Sequence, residues 1–285
     1  MGVWLALLFS RVSLTEVVAA VSTVPVAVVA VAASSNIFVM VLKSARWRML
    51  VRELLGISIP ILRAFGVYVA GSALGAVTPG MTGNVYRAWW VVREGATWRR
   101  AVSVLVGDRL FDLGFLSAVA AGVLGLGMAG TGALSLLLVM GASVAMAWQF
   151  PVATRSGVKR VVSDRRVHLR TAFAATSASA LAFSGMAVPT WAIANTLFEA
   201  PPLPVFFAIL AAVNIVSALP ISLSGIGTRE LAFATLLAAH GVTPEEATAL
   251  SVLYFACYYV GSWLLGVIGL VLTLRRRDAS LQAEA

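Results

Sequence analysis

The sequence predicts an all-α polytopic membrane protein, an inverted repeat with two re-entrant, Gly/Pro-broken hairpins. Three observations predict it. First, 60% of the 285 residues are hydrophobic and only 12% charged, with a mean hydropathy of +0.93, where a soluble domain carries about 25% charged residues. Second, residues 113–154 hold no Asp, Glu, Lys or Arg, and residues 171–228 hold only Glu199, whereas a spanning helix needs about 20 apolar residues. Third, two apolar segments, 64–77 and 205–219, are too short to span and end in Gly/Pro-rich breaks. Soluble globular domains, disordered tails and disulfide-built secreted scaffolds are excluded. So is a catalytic domain beside a membrane anchor, because no polar stretch is long enough to fold one.

The elements follow in chain order. Residues 1–10 are apolar for half a span, with no basic flank and no small-residue cleavage site, so they read as a truncated first helix and not a signal peptide. Residues 17–42 form a span that ends in the basic run Lys43, Arg46, Arg48 and Arg52, and 44–63 read as an amphipathic interfacial stretch. The first short segment is broken at Thr78-Pro79-Gly80, and polar and basic residues follow to Arg100. Spans at about 101–127 and 132–150, the basic loop 151–170 and a span at 172–195 come next. The second short segment breaks at Pro220-Ile221-Ser222-Leu223-Ser224-Gly225-Ile226-Gly227. A short helix, 229–240, and a last span, 247–273, complete the chain before Arg275, Arg276 and Arg277.

Charge sets the orientation. If both short segments re-enter on the side they left, 18 of the 21 basic residues fall on the side of the loop 151–170, with Arg11 opposite and Arg109 and Arg229 at membrane depth. The positive-inside rule then makes this a multi-pass protein of the cytoplasmic (inner) membrane with its C-terminus cytoplasmic. The net charge of +9 is accounted for by such loops and by anionic headgroups, and no nucleic-acid-reading motif accompanies it. The lone Cys257 permits no intrachain disulfide. His168 and His240 form no ligand cluster, so neither a metal nor a cofactor is expected.

Two stretches resemble each other. Gly95-Ala96-Thr97-Trp98-Arg99-Arg100-Ala101 aligns with Gly241-Val242-Thr243-Pro244-Glu245-Glu246-Ala247, 146 residues on. Upstream of each lies a broken segment, Pro79, Gly83, Arg87 in one and Pro220, Gly225, Arg229 in the other. The repeats cover about 57–127 and 203–273 within a single transmembrane domain. Three spans separate them, an odd number that inverts one against the other, and Arg99-Arg100 in one connection becomes Glu245-Glu246 in the other. Inverted repeats with Gly/Pro-interrupted segments at matching places mark a transport site, since irregular backbone at membrane depth must be surrounded by protein or line a wet cavity.

The candidate binding residues gather at the breaks: Pro79, Gly83, Arg87, Pro220, Gly225, Gly227, Arg229 and Glu230, with Asp108, Arg109 and Asp112 near the end of a span. Arg87 beside Trp89 and Trp90 is either an interfacial snorkelling residue or a phosphate ligand. Arg229 either pairs with Glu230 or lines a cavity. Glu230 is one residue on, about 100° round the helix, which would leave Arg229 to seek another partner. Asp108 and Asp112, four apart, share a face and form a salt-bridge network, a relay or the answer to Arg87. No nucleophile or metal cluster supports catalysis. Gly71 and Gly75 permit close helix packing, and aromatic residues near span ends read as interfacial belts.

Four stretches carry a resemblance: Ala45-Arg46-Trp47-Arg48; Pro79-Gly80-Met81-Thr82-Gly83-Asn84-Val85-Tyr86-Arg87; Asp108-Arg109-Leu110-Phe111-Asp112; and Leu219-Pro220 with Ser224-Gly225-Ile226-Gly227-Thr228-Arg229-Glu230. In this order and spacing the chain resembles the transmembrane, flippase-like domain of lysylphosphatidylglycerol synthases and its stand-alone members. The resemblance covers about 17–273. Phe255 stands where that family often carries an Arg, and no soluble aminoacyl-transferase domain accompanies the spans. The resemblance implies translocation of an anionic or zwitterionic lipid or lipid-linked precursor, not an enzyme. The alternative it implies is an accessory subunit that binds lipid-linked substrate for a separate glycosyltransferase or synthase. The expected partners are membrane lipids, a separate lipid-modifying enzyme and a second copy of the chain, with no nucleic acid.

Overall fold

A computed structural model describes residues 12–76, 78, 83–125, 167–218 and 225–270. The span expected at 132–150, most of the loop 151–170, and Arg275 to Arg277 lie outside the described residues, as do Pro79 and Pro220. The described residues are all-helical. In order they form α1 (Leu14–Thr23), α2 (Val26–Leu55), α3 (Ile61–Ala76), α4 (Val85–Arg93), α5 (Trp98–Gly125), α6 (Leu169–Leu197), α7 (Leu203–Ser217), α8 (Thr228–Ala238) and α9 (Pro244–Phe255). α9 passes through a π turn, Ala256–Val260, and runs on to Leu270. Among the described residues, three helices are long and apolar enough to cross a membrane: Val26–Leu55, Leu169–Leu197 and Pro244–Leu270.

The first long span starts and ends elsewhere than the hydropathy suggested. Pro25, which has no N–H to donate, separates α1 from α2. α2 then runs unbroken through the basic run to Leu55, where Gly56 closes it with a left-handed φ of 76°. Residues 44–55 are therefore not a separate interfacial stretch. They are the second half of a 30-residue helix, with Ser44, Arg46, Trp47, Leu50 and Val51 buried.

Each short apolar helix is followed by a break and a second helix packed against the first. α4 docks on α3 where Gly71 and Gly75 leave room. A Cβ on Gly71 would meet the Arg87 Cγ at 2.7 Å, and one on Gly75 the Asn84 Nδ2 at 2.8 Å. The Gly-x3-Gly pair thus admits polar side chains of the returning helix. α8 packs similarly on α7. After each returning helix the chain turns alike. Gly95 (φ 98°) and Gly241 (φ 76°) reverse it. Ala96 N bonds Val91 O at 3.3 Å, and Val242 N bonds Leu237 O at 3.4 Å, pairs related by the same 146-residue offset. Thr243 and Glu246 then form a capping box at the start of α9.

Two apolar clusters hold the bundle, and α2, α5 and α6 contribute to both. Trp47 to Leu55 of α2, Phe111 of α5 and Ala172 and Ala175 of α6 pack with α3 and α4. Ala32 of α2, Phe115 and Val119 of α5, and Phe183 to Ala194 of α6 pack with α7, α8 and α9. The α3–α4 hairpin therefore sits at one end of these three helices and the α7–α8 hairpin at the other. The exchange is reciprocal: α5 packs on α7, and α9 lies on α3, where a Cβ on Gly269 would meet the Gly66 carbonyl at 2.7 Å.

Candidate functional site: a polar cavity between two charged clusters

The first cluster joins four helices. Asp108 of α5 is buried between two guanidiniums. Arg46 Nη2 of α2 lies 2.7 Å from its Oδ1, and Arg87 Nη1 of α4 lies 2.8 Å from its Oδ2. Arg46 also donates to Asp112 Oδ1 at 2.5 Å and, from the same nitrogen, to Ser179 Oγ of α6 at 2.7 Å. Arg87 donates to Asn84 Oδ1 at 3.0 Å and sits 4.4 Å over the Tyr68 ring. Two arginines and two aspartates balance, which is what lets fully buried charges persist. Lys43 Nζ stands 3.7 Å from Asp112 Oδ2 at the cluster's edge.

The second cluster closes the α7–α8 turn. Gly225 and Gly227 adopt φ of 79° and 87°, and only residues without a Cβ take such angles at little cost. Glu230 folds back so that its Oε2 accepts from Gly227 N at 2.6 Å, and its Oε1 meets Arg229 Nη2 at 2.6 Å. Ser251 of α9 joins both, accepting from Arg229 Nε and donating to Glu230 Oε1, each at 2.9 Å. The Arg229 guanidinium lies 4.8 Å from the Phe255 ring and 5.3 Å from that of Tyr259. So Phe255 supplies an aromatic face to a cation.

Between the clusters is a cavity of about 350 Å³. Its wall draws on the middle of every long helix: Val39 and Met40 of α2, Leu113 and Leu116 of α5, Ala182 and Phe183 of α6, and Tyr258 at the π turn. Residues beside both breaks reach it, Gly75 and Asn84 at one and Ala218 at the other. Its cations among the described residues are Lys43 and Arg109. Arg109 makes no ion pair among the described residues. Its neutral polar lining includes Asn36, Ser72, Ser179, Asn214 and Ser262, and four of the chain's five tyrosines: Tyr68, Tyr254, Tyr258 and Tyr259.

The structure thus divides the sequence candidates. Arg109 and Asp112 line the cavity. Arg87, Asp108, Arg229 and Glu230 are buried in the clusters behind it, at most 7% exposed. Gly83, Gly225 and Gly227 shape the turns, and Pro79 and Pro220 lie outside the described residues. Two expectations need correction. Glu230 does reach its neighbour: both sit in the first turn of α8, where a glutamate at the third position curls back to the N-terminus and brings its carboxylate to the arginine. And Arg46 and Arg87, counted with the charges of one membrane side, are 0% and 1% exposed, so they report the bundle interior.

Arg46, Lys43, Asn36 and the tyrosines were not singled out from the sequence. Signals existed. Asn36 is the lone amide of an apolar run, Tyr254, Tyr258 and Tyr259 stand mid-helix and away from any interfacial belt, and Arg46 adjoins a Trp47 that is wholly buried.

A sequence model of the lysylphosphatidylglycerol synthase TM region matches residues 1–266. No curated protein matches the chain.

Proposed function

Since the chain belongs to the lysylphosphatidylglycerol synthase transmembrane-region family, whose membrane domain is tied to lipid handling, we propose that it is a lipid translocase. It carries an anionic lipid, or a lipid-linked precursor, between leaflets through the central cavity. The observation that carries this reading is the cavity's place and chemistry. It lies among the described long helices α2, α5, α6 and α9, between residues flanking both breaks, and its lining combines the cations Lys43 and Arg109 with apolar residues such as Leu113, Phe115 and Phe183. An amphiphile matches that combination, with its phosphate at Arg109 and Lys43 and its chain against the apolar residues.

The proposed architecture is an inverted repeat, 57–127 and 203–273, whose two hairpins re-enter from opposite sides. The matched Gly95 and Gly241 turns support the repeat. Placement of the hairpins at opposite ends of α2, α5 and α6 supports the inversion. α3 and α7, of 16 and 15 residues, give about 22–24 Å of helix at 1.5 Å per residue, short of a core of about 30 Å. We place the protein in the cytoplasmic membrane with its C-terminus inside, on the distribution of basic residues. The activity makes and breaks no covalent bond.

The test is exchange of fluorescent phospholipids in liposomes containing the purified protein. Translocation predicts protein-dependent loss of the signal protected from an impermeant quencher, about tenfold slower for Arg109→Ala, the loss of one charged contact, and partly recovered by Arg109→Lys. Lipid binding without accelerated exchange would replace this reading with that of an accessory subunit that presents lipid to a separate enzyme.

A further inference from the structure

The cavity also bears on which headgroup it takes, an inference that rests on the translocase reading. Among the described residues its cations are Lys43 and Arg109, and the one carboxylate on its wall, Asp112, is already engaged by Arg46 at 2.5 Å and faces Lys43 at 3.7 Å. A headgroup bearing an ammonium would bring a third cation where no open carboxylate receives it. The remaining polar wall is neutral and offers unfilled hydrogen-bond positions. Asn36 is 1% exposed, and its Nδ2 donates to Tyr258 O and Ser262 Oγ at 3.4 and 3.3 Å. That fixes the amide orientation and leaves Oδ1 buried with no donor among the described residues. Such an acceptor calls for a hydroxyl or water to fill it. The hydroxyls of Tyr68 and Tyr259 also find no hydrogen-bond partner among the described residues.

The packing of the tyrosines adds a shape. Tyr254, Tyr258 and Tyr259 cluster, with ring centroids 5.1 Å apart for the first pair and 6.3 Å for Tyr254 and Tyr259. Tyr259 also stacks on Phe255 at 5.2 Å, so the rings pack on one another and hold their hydroxyls on a rigid frame, which suits hydroxyl groups themselves fixed on a ring. A choline group would also favour aromatic faces, yet it would supply no proton to Asn36 Oδ1. We infer that the cavity selects an amine-free ring-polyol phosphate, its phosphate at Arg109 and Lys43 and its ring hydroxyls on Asn36, Tyr68 and Tyr259. Two lipid sources share this chemistry: a phosphoinositol lipid and a polyprenyl phosphate carrying a hexose.

The experiment measures binding to the purified full chain in nanodiscs, by displacement of a fluorescent phosphatidylglycerol. The competitors are phosphatidylinositol, a short polyprenyl phosphohexose, phosphatidylglycerol, phosphatidylethanolamine and lysylphosphatidylglycerol. At least one ring-polyol lipid should bind about tenfold more tightly than phosphatidylglycerol, as one or two added hydrogen bonds give, and the amine-bearing lipids more weakly. Whichever of the two ring-polyol lipids wins identifies the source. Tyr259→Phe, which removes one oxygen and leaves packing intact, should narrow the preference several-fold, and Asn36→Ala should do the same if it folds. Equal affinity for phosphatidylglycerol and both ring-polyol lipids, tightest binding of lysylphosphatidylglycerol, or an unchanged preference in Tyr259→Phe would each overturn the inference. The translocase reading is judged separately, by exchange in liposomes: protein-dependent exchange of any phospholipid keeps it, whatever the order of affinities.

Discussion

Asp108 shows how this bundle tolerates charge at depth. Its two oxygens are divided between Arg46 and Arg87, on different helices, so one carboxylate ties α2, α4 and α5 together. Removing the negative charge would leave both guanidiniums without it in the interior, and breaking a buried pair from one side costs about 3–5 kcal/mol. Asp108→Asn should therefore lower the thermal midpoint in detergent sharply. Asp112→Asn should lower it less, since the Asp112 side chain is 17% exposed and Asp108 still holds Arg46. Equal midpoints for the two variants would mean that Asp108 is not the organising charge. At this scale the sequence was half legible. The spacing of Asp108 and Asp112, and an answer to Arg87, could be read, because residues four apart on a helix share a face. Arg46 could not, since an arginine in a basic run after an apolar stretch looks like a loop charge until the helix is seen to continue past it.

The hairpins behave as elements because their turns are tightly determined. At Gly225 a positive φ coincides with crowding: an added Cβ would stand 2.9 Å from the Ser217 Cβ. Gly95 has a positive φ of 98° but open space, with nothing within 4 Å of the added atom. Gly95→Ala should then cost only the left-handed backbone strain, about 1–2 kcal/mol. Gly225→Ala should cost that and a displacement of α8 against α7, and so give the larger fall in thermal midpoint. The reverse order would show that the α7–α8 turn is looser than its geometry implies. The broken segments themselves were plain in the sequence, because Gly and Pro within short apolar runs are conspicuous against the spans around them. Helix ends were less so: hydropathy carried the first span across Pro25 and stopped it near Val41, while the chain breaks at the proline and continues to Gly56.

At the scale of the molecule, the α3–α4 and α7–α8 helix pairs hold opposite ends of α2, α5 and α6, while α5 lies on α7 and α9 on α3. The inverted repeat proposed above would relate the two halves by a pseudo-two-fold axis and would place a site common to both between them, where the cavity lies. Hydropathy and charge made the helical membrane class legible. The cavity was not, because its wall comes from residues far apart in sequence, Asn36, Arg109, Ser179 and Tyr258 among them. If the repeats are inverted, the turn at Glu94 and the turn at His240 face opposite sides of the membrane. Both residues are exposed, and the chain's single native cysteine, Cys257, is buried, so Cys257→Ser gives a clean background. In intact cells, an impermeant maleimide should label His240→Cys and spare Glu94→Cys, and both should react once the membrane is opened. Labelling of both from outside, or of neither, would place the two turns on one face. It would dissolve the proposed inverted repeat even though the local turns match.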